Sequence, residues 1–128
     1  MDSEKMMTMK EAVGKHVKDG DVVYLAGFTH MIPFAAGHEI MRQKRRGLTL
    51  ARATPDIIYD QMVAAGCAKK LIFSYSGNPG VGSLHRLRDA VERRWPLTLE
   101  IDEHTHAGVA AAYCAGAGAG TVPGCGTD

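Results

Sequence analysis

The segment Asp102-Glu103-His104-Thr105-His106 sets two carboxylates beside two imidazoles. A carboxylate among imidazoles can act as a nucleophile or as a base with a tuned pKa, which leaves Asp102 and Glu103 both open as candidates. His-x-His with a flanking Glu also recurs in metal sites. On a helix start, however, His104 and His106 would point about 200° apart, and no fourth ligand is evident, so no metal site is assigned. A plainer reading stays open, in which Asp102 and Glu103 cap the following helix and favour its positive end.

Two other segments carry loop chemistry. Ala26-Gly27-Phe28-Thr29-His30-Met31-Ile32-Pro33 follows an apolar run, and Gly27 lets a ligand approach the backbone. Gly77-Asn78-Pro79-Gly80-Val81-Gly82-Ser83 is rich in glycine and leads into a helix. It lacks the Gly-Lys-Ser/Thr ending of a P-loop, and the spacing of a dinucleotide fingerprint is absent, but its amides could hold an anion or a carbonyl oxygen. Gly27, Phe28 and Thr29 in the first loop and Asn78 and Gly80 in the second are the candidate substrate-binding residues.

The elements that must position these loops follow from hydrophobic periodicity. Thr8 and Glu11 have capping-box spacing ahead of a helix carrying Met9, Ala12 and Val13. Asp19-Gly20-Asp21 breaks it, and Val22 to Ala26 reads as a strand covered on both faces. A helix follows from Phe34 to Arg46, with Gly37 its weak point and Gly47 its stop. Leu48 to Ala51 is a second strand, and Thr54-Pro55-Asp56 starts a helix running to about Ala65. Lys70 to Ser74, a helix from Leu84 to Arg94, a strand from Leu97 to Ile101 and a helix from about His104 to Cys114 complete the alternation. Strands alternating with helices through short connections predict an α/β fold: an open, mostly parallel sheet with helices on both faces. In such a sheet, ligands bind outside the carboxyl ends of the strands, where all three segments fall.

Composition limits the alternatives. A length of 128 residues suits one core, and 45% hydrophobic with 23% charged residues is ordinary for a globular chain. A net charge of +1 gives no field to recruit nucleic acid or a membrane surface. The basic run from Arg42 to Arg46 is read as favouring the negative end of its helix. Cys67, Cys114 and Cys125 are an odd number without Cys-x-x-Cys spacing, which fits a reducing compartment. The start, MDSEKMMTMK, lacks the pattern of a signal peptide, and a cytoplasmic location is expected. The tail, Ala115 to Asp128, has five glycines in its fourteen residues and no periodicity that could bury a face. It is expected to be irregular, so the domain is placed at residues 1–117 and the tail at 118–128.

As a set, these motifs resemble a known family. Asp19-Gly20-Asp21-Val22-Val23-Tyr24-Leu25-Ala26-Gly27-Phe28, preceded by a helix beginning Met9-Lys10-Glu11-Ala12, resembles the opening of class I coenzyme A transferase A subunits, with Ala26 where the pattern has its first Gly. The segments around Thr54-Pro55-Asp56, Gly77-Asn78-Pro79-Gly80 and Glu103-His104-Thr105-His106 resemble the glutaconate branch. The resemblance covers residues 8–117 and implies a CoA-transferase-type sheet (NagB/RpiA-like). Family A subunits are considerably longer, so a truncated or frameshifted reading frame is the expectation. The Ser-Glu-Asn-Gly signature, whose glutamate is the covalent nucleophile, is absent here; the family carries it on the B subunit.

The resemblance implies transfer of coenzyme A between an acyl-CoA and a free carboxylic acid. It also implies a hetero-oligomer with a CoA-transferase B subunit, coenzyme A as substrate and no bound cofactor. A glutamate of the partner attacks the thioester and becomes a glutamyl-CoA thioester. Each oxyanion formed needs N–H donors worth about 3 kcal/mol apiece, a task that suits the loops after Ala26 and Ser76. Two rivals remain. Some relatives of the glutaconate branch resemble hydrolases that open a carbocyclic ring in a CoA thioester, with a glutamate at a place like Glu103 and His104 or His106 tuning it. The other rival is a non-catalytic fragment.

Overall fold

The computed structural model describes residues 6–78 and 82–118. Nine elements alternate: α1 (Met9–His16), β1 (Val22–Tyr24), α2 (Phe34–Arg42), β2 (Leu48–Ala51), α3 (Ile57–Ala64), β3 (Ala68–Phe73), α4 (His85–Arg93), β4 (Glu100–Glu103) and α5 (His106–Gly118). The strands form one parallel sheet in the order β1-β2-β3-β4. The open parallel α/β sheet expected from the sequence is therefore present.

Register explains which face is core. Val23, Leu50, Leu71 and Ile101 lie in one row across the sheet. The first three are buried beneath Ile40 of α2, Ile58, Tyr59, Met62 and Val63 of α3 and Leu87 of α4. α2 packs on α3 and α3 on α4, as when parallel strands are added one by one in a single direction. Gly37 is buried in α2, and a Cβ there would lie 2.4 Å from Cγ1 of Ile58. Its place in the helix is thus a packing requirement rather than a weakness. The opposite face carries Tyr24, whose ring meets Tyr113 of α5 edge-on at 5.2 Å. Helices therefore reach both faces.

Several boundaries differ from those read in the sequence, each for a local reason. β1 stops at Tyr24 rather than Ala26, because the Leu25 amide donates to the Tyr59 hydroxyl (3.0 Å), which itself donates to Ala51 O (2.9 Å). α2 ends at Arg42 rather than Arg46. Lys44 takes a left-handed φ of 55°, Arg45 N–H donates to Ile40 O and Lys44 N–H to Met41 O, a Schellman closure without its usual glycine.

The basic run does serve helix carboxyl ends: Arg42 lies in the last turn of α2 itself, Arg46 donates to Ala65 O, the C-cap of α3, at 2.8 Å, and Arg45 donates to Gly14 O in the last turn of α1. β4 pairs over Glu100–Glu103, not Leu97–Ile101. Glu100 and Asp102 flank Lys70 Nζ at 2.9 and 3.1 Å, while Leu97 stays exposed. α5 begins at His106 and runs to Gly118, so Ala115–Gly118 is helical rather than irregular; alanine's high helix propensity carries the turn onward. Residues 119–128 lie outside the described residues.

Candidate active site

The carboxyl ends of the strands gather three of the expected segments and add one that sequence reasoning did not single out. After β1, the chain folds back on itself: Phe28 and His30 exchange backbone hydrogen bonds of 3.2 and 2.6 Å. Gly27 sits at φ 111°, and a Cβ there would lie 3.0 Å from both Ile32 Cα and Met31 O, so only glycine fits. Thr29 and Met31 also take left-handed φ values, 56° and 54°, which for such residues marks stored backbone strain.

Arg52, directly after β2, holds this loop in place. It is 2% exposed and directs all of its donors inward. Nε and Nη2 reach Thr54 O at 2.9 and 2.8 Å, Nη1 reaches Leu25 O and Ala26 O at 3.2 and 3.4 Å, and Nη2 pairs with the buried Asp56 carboxylate. The guanidinium also lies over the Tyr59 ring, 4.9 Å from its centroid. Asp56 in turn caps α3 at the Ile58 amide. One buried ion pair thereby joins the loops after β1 and β2. Burial drives the Tyr59 phenol far above its usual pKa, so it stays a neutral hydrogen-bonding strut.

The loop after β3 is tied to the same scaffold. Ser74 and Tyr75 amides donate to Ala53 O, and Gly77 N–H to Pro55 O. Beyond β4, His104 N–H donates to Phe73 O at 2.8 Å, and His104 Nε2 meets Asp102 at 2.8 Å. Hydrogen bonding to Lys70, then charge from Lys70 and His104, holds the Asp102 carboxyl below its ordinary range. Thr105, rather than Asp102 or Glu103, caps α5: its Oγ1 accepts from Gly108 N–H at 3.0 Å. His106 Nδ1 lies 2.6 Å from Ser74 Oγ. The two imidazoles thus take different partners, and neither contacts Glu103 among the described hydrogen bonds. Among the described residues no group of three or more His, Cys, Asp or Glu is placed to hold a metal.

Between these loops lies a cleft of about 420 Å³. It is lined by Tyr24, Gly27, Phe28, Arg52, Ala53, Thr54 and His106. Of the candidates read from the sequence, Gly27 and Phe28 line the cleft and Thr29 lies beside it, exposed, with Oγ1 3.3 Å from His30 Nδ1. Asn78 closes its own loop by exchanging backbone bonds with Gly82 at 3.3 and 3.1 Å, away from the cleft lining. Gly80 lies outside the described residues. Glu103 ends β4, exposed, and forms no ion pair or side-chain hydrogen bond with other described residues. Sequence reasoning missed Arg52 and Ser74, and it read Asp56 as a helix start without its pairing to Arg52. A usable signal was present in Arg52-x-x-x-Asp56, an arginine that ends an apolar strand four residues before a helix-capping aspartate.

The class is set by this arrangement: a parallel α/β unit with a glycine-shaped cleft at the carboxyl ends of its strands. The sequence model of the coenzyme A transferase family matches residues 6–121, and the chain belongs to that family. The A subunit of the 3-oxoadipate CoA-transferase of Pseudomonas knackmussii is 62% identical over 113 residues, which are 88% of this chain and 40% of that protein. The A subunit of the glutaconate CoA-transferase of Acidaminococcus fermentans is 37% identical over 83 residues, 64% of this chain and 26% of that one. The crystal structure of glutaconate coenzyme A-transferase from that organism superposes with a TM-score of 0.76 at 31% identity, covering 84% of this chain and 35% of that one. A variant of the decarboxylase AibA/AibB shares the fold, with a TM-score of 0.76 at 24% identity over 89% of this chain and 44% of that one. The chain spans less than half the length of these relatives.

Proposed function

We propose that this chain supplies the N-terminal part of the A subunit of a CoA-transferase, moving coenzyme A between an acyl-CoA and a free dicarboxylic acid of the 3-oxoadipate class. The observation that carries the reading is the 62% identity to the A subunit of a 3-oxoadipate CoA-transferase across 88% of this chain. Coenzyme A is a substrate, and the reaction is cytoplasmic. A B-type partner provides the glutamate that forms the glutamyl-CoA intermediate, since this chain has no Ser-Glu-Asn-Gly. The cleft at Gly27 and Phe28 receives the acyl group, and the amides of the loop that carries Gly27, Phe28 and Thr29 serve the developing oxyanion. Glu103, exposed at the end of β4, is this chain's own candidate catalytic carboxylate.

The test pairs the chain with the B subunit of a 3-oxoadipate CoA-transferase and follows thioester exchange between an acyl-CoA donor and 3-oxoadipate. Transfer is expected only in the pair. Turnover well above background from the chain alone, or hydrolysis to free CoA without transfer, overturns the reading. Glu103→Gln separates the roles of that carboxylate: a collapse of turnover at unchanged melting temperature supports catalysis, and normal turnover removes Glu103 from the chemistry.

A further inference from the structure

His106 has a fixed tautomer, which the neighbouring atoms decide. Ser74 Oγ lies 2.7 Å from Ala53 O and 2.6 Å from His106 Nδ1. A carbonyl oxygen can only accept, so the hydroxyl proton must lie toward Ala53 for that contact to be attractive. Nδ1 must then donate its own proton to Ser74 Oγ. The chain of bonds runs from Nδ1–H to Oγ–H to the Ala53 carbonyl, and it leaves the lone pair on Nε2. Because the Nδ1 proton is already engaged, Nε2 can take up a proton without breaking either bond, and the imidazolium keeps its orienting partner.

This imidazole lies on the wall of the cleft beside Tyr24, Gly27 and Phe28. Arg52, also on the lining, has its donors committed to Thr54, Leu25, Ala26 and Asp56. Its charge is matched by the Asp56 carboxylate, so it offers nothing to an incoming anion. Among the described residues, the remaining titratable group on the lining is the Tyr24 phenol. At the end of β4, His104 and Asp102 bond to each other and to the β3 strand.

We propose that His106 is the carboxylate-binding group of the cleft: Nε2 acquires a proton as a carboxylate end of the acyl substrate docks, and the imidazolium donates to it while Ser74 holds the ring. The proton comes from solvent, no covalent bond is made or broken among the heavy atoms, and the charge on the bound carboxylate is balanced. The identification of the acyl group as dicarboxylic rests on the proposed function; binding of a carboxylate at His106 does not.

The experiment uses adipate as a stable dicarboxylate and dimethyl adipate as its uncharged counterpart. Nitrogen-15 NMR of the 128-residue chain reads the His106 tautomer and its protonation at pH 7.5, where an ordinary imidazole is mostly neutral. Without ligand, Nδ1 carries the proton. Adipate moves Nε2 toward the protonated shift, and calorimetry in phosphate and in Tris reports proton uptake; dimethyl adipate does neither. His106→Gln abolishes the uptake and weakens adipate binding by about tenfold or more. Ser74→Ala keeps the uptake but weakens binding, because it frees the ring without removing it.

In the pair with a B subunit, His106→Gln raises KM for the dicarboxylate with a smaller change in kcat. An Nε2-protonated tautomer in the free chain, or adipate binding with unchanged affinity and no proton uptake in the His106→Gln variant, overturns the proposal. Adipate that leaves Nε2 unmoved overturns it too, even where CoA transfer proceeds. If adipate protonates His106 while no pairing transfers CoA, the carboxylate site stands and the transferase reading fails.

Discussion

Replacing Arg52 with methionine tests the idea that one buried ion pair organises the site. Methionine keeps the apolar stem and removes all five donors, so Leu25, Ala26 and Thr54 carbonyls lose a partner and the Asp56 carboxylate is left buried and unpaired. Removing one partner of a buried pair costs about 3–5 kcal/mol, most of it from the stranded charge. For 128 residues the unfolding entropy is about 0.27 kcal/mol/K, so the melting temperature should fall by roughly 11–19 °C. Denaturant unfolding followed by circular dichroism measures the loss directly.

The second arm is the double variant Arg52→Met with Asp56→Asn. Asparagine caps α3 nearly as well as aspartate but carries no charge, so the double variant should recover about 1.5 kcal/mol or more relative to Arg52→Met alone. Amide exchange at Gly27 to Met31 should accelerate in the single variant, because the carbonyls that anchor that loop are released. A single-variant cost below about 1 kcal/mol, or simple additivity of the two substitutions, would refute the clamp.

Thr8→Ala removes the cap at the Glu11 amide (3.2 Å) and should cost about 1 kcal/mol by denaturant unfolding, leaving exchange in the strand-end loops unchanged. Gly27→Ala forces a Cβ against Ile32 and Met31 backbone at a φ of 111°. It should destabilise by about 2 kcal/mol or more and abolish adipate binding, measured by melting and by NMR titration. Asp102 has a depressed carboxyl pKa in the fold, so its ion pair with Lys70 contributes stability that is present above the ordinary aspartate range and lost as pH falls below it. Asp102→Asn should flatten the acid limb of a stability-versus-pH curve below about pH 4, and an unchanged limb would remove that pair from the account. Cys67 is buried and its thiol is pushed up by that burial, so peptide mapping after treatment with an aromatic disulfide should find it unmodified until the chain unfolds, while exposed Cys114 reacts.

What the sequence determined by itself is the alternation of elements and the ends at which chemistry collects. Val22-Val23-Tyr24, Leu48-Thr49-Leu50 and Leu71-Ile72-Phe73 are too short and too apolar for amphipathic helices, and Thr8 with Glu11 announces α1 through chemistry contained within four residues. Gly27 was legible for the same reason, because a backbone that must turn where no side chain fits selects glycine locally.

Register and partnership were decided only in three dimensions. The alternation Leu97, Leu99, Ile101 located the fourth strand's segment, yet pairing began at Glu100 because Lys70, thirty residues away, draws Glu100 and Asp102 to itself. The carboxylates of Asp102 and Glu103 looked equivalent in sequence; one is held by Lys70 and His104 and the other is exposed. His104 and His106 likewise read as a pair, whereas each is claimed by a different strand end. Arg52 gives the clearest case. A lone arginine has no periodicity to betray its role, and its role exists only because parallel pairing brings the carbonyls of Leu25 and Ala26 within reach of its donors. Local propensity acts over a few residues and can be read along the chain, whereas hydrogen-bond satisfaction in a buried site depends on atoms that folding alone brings together.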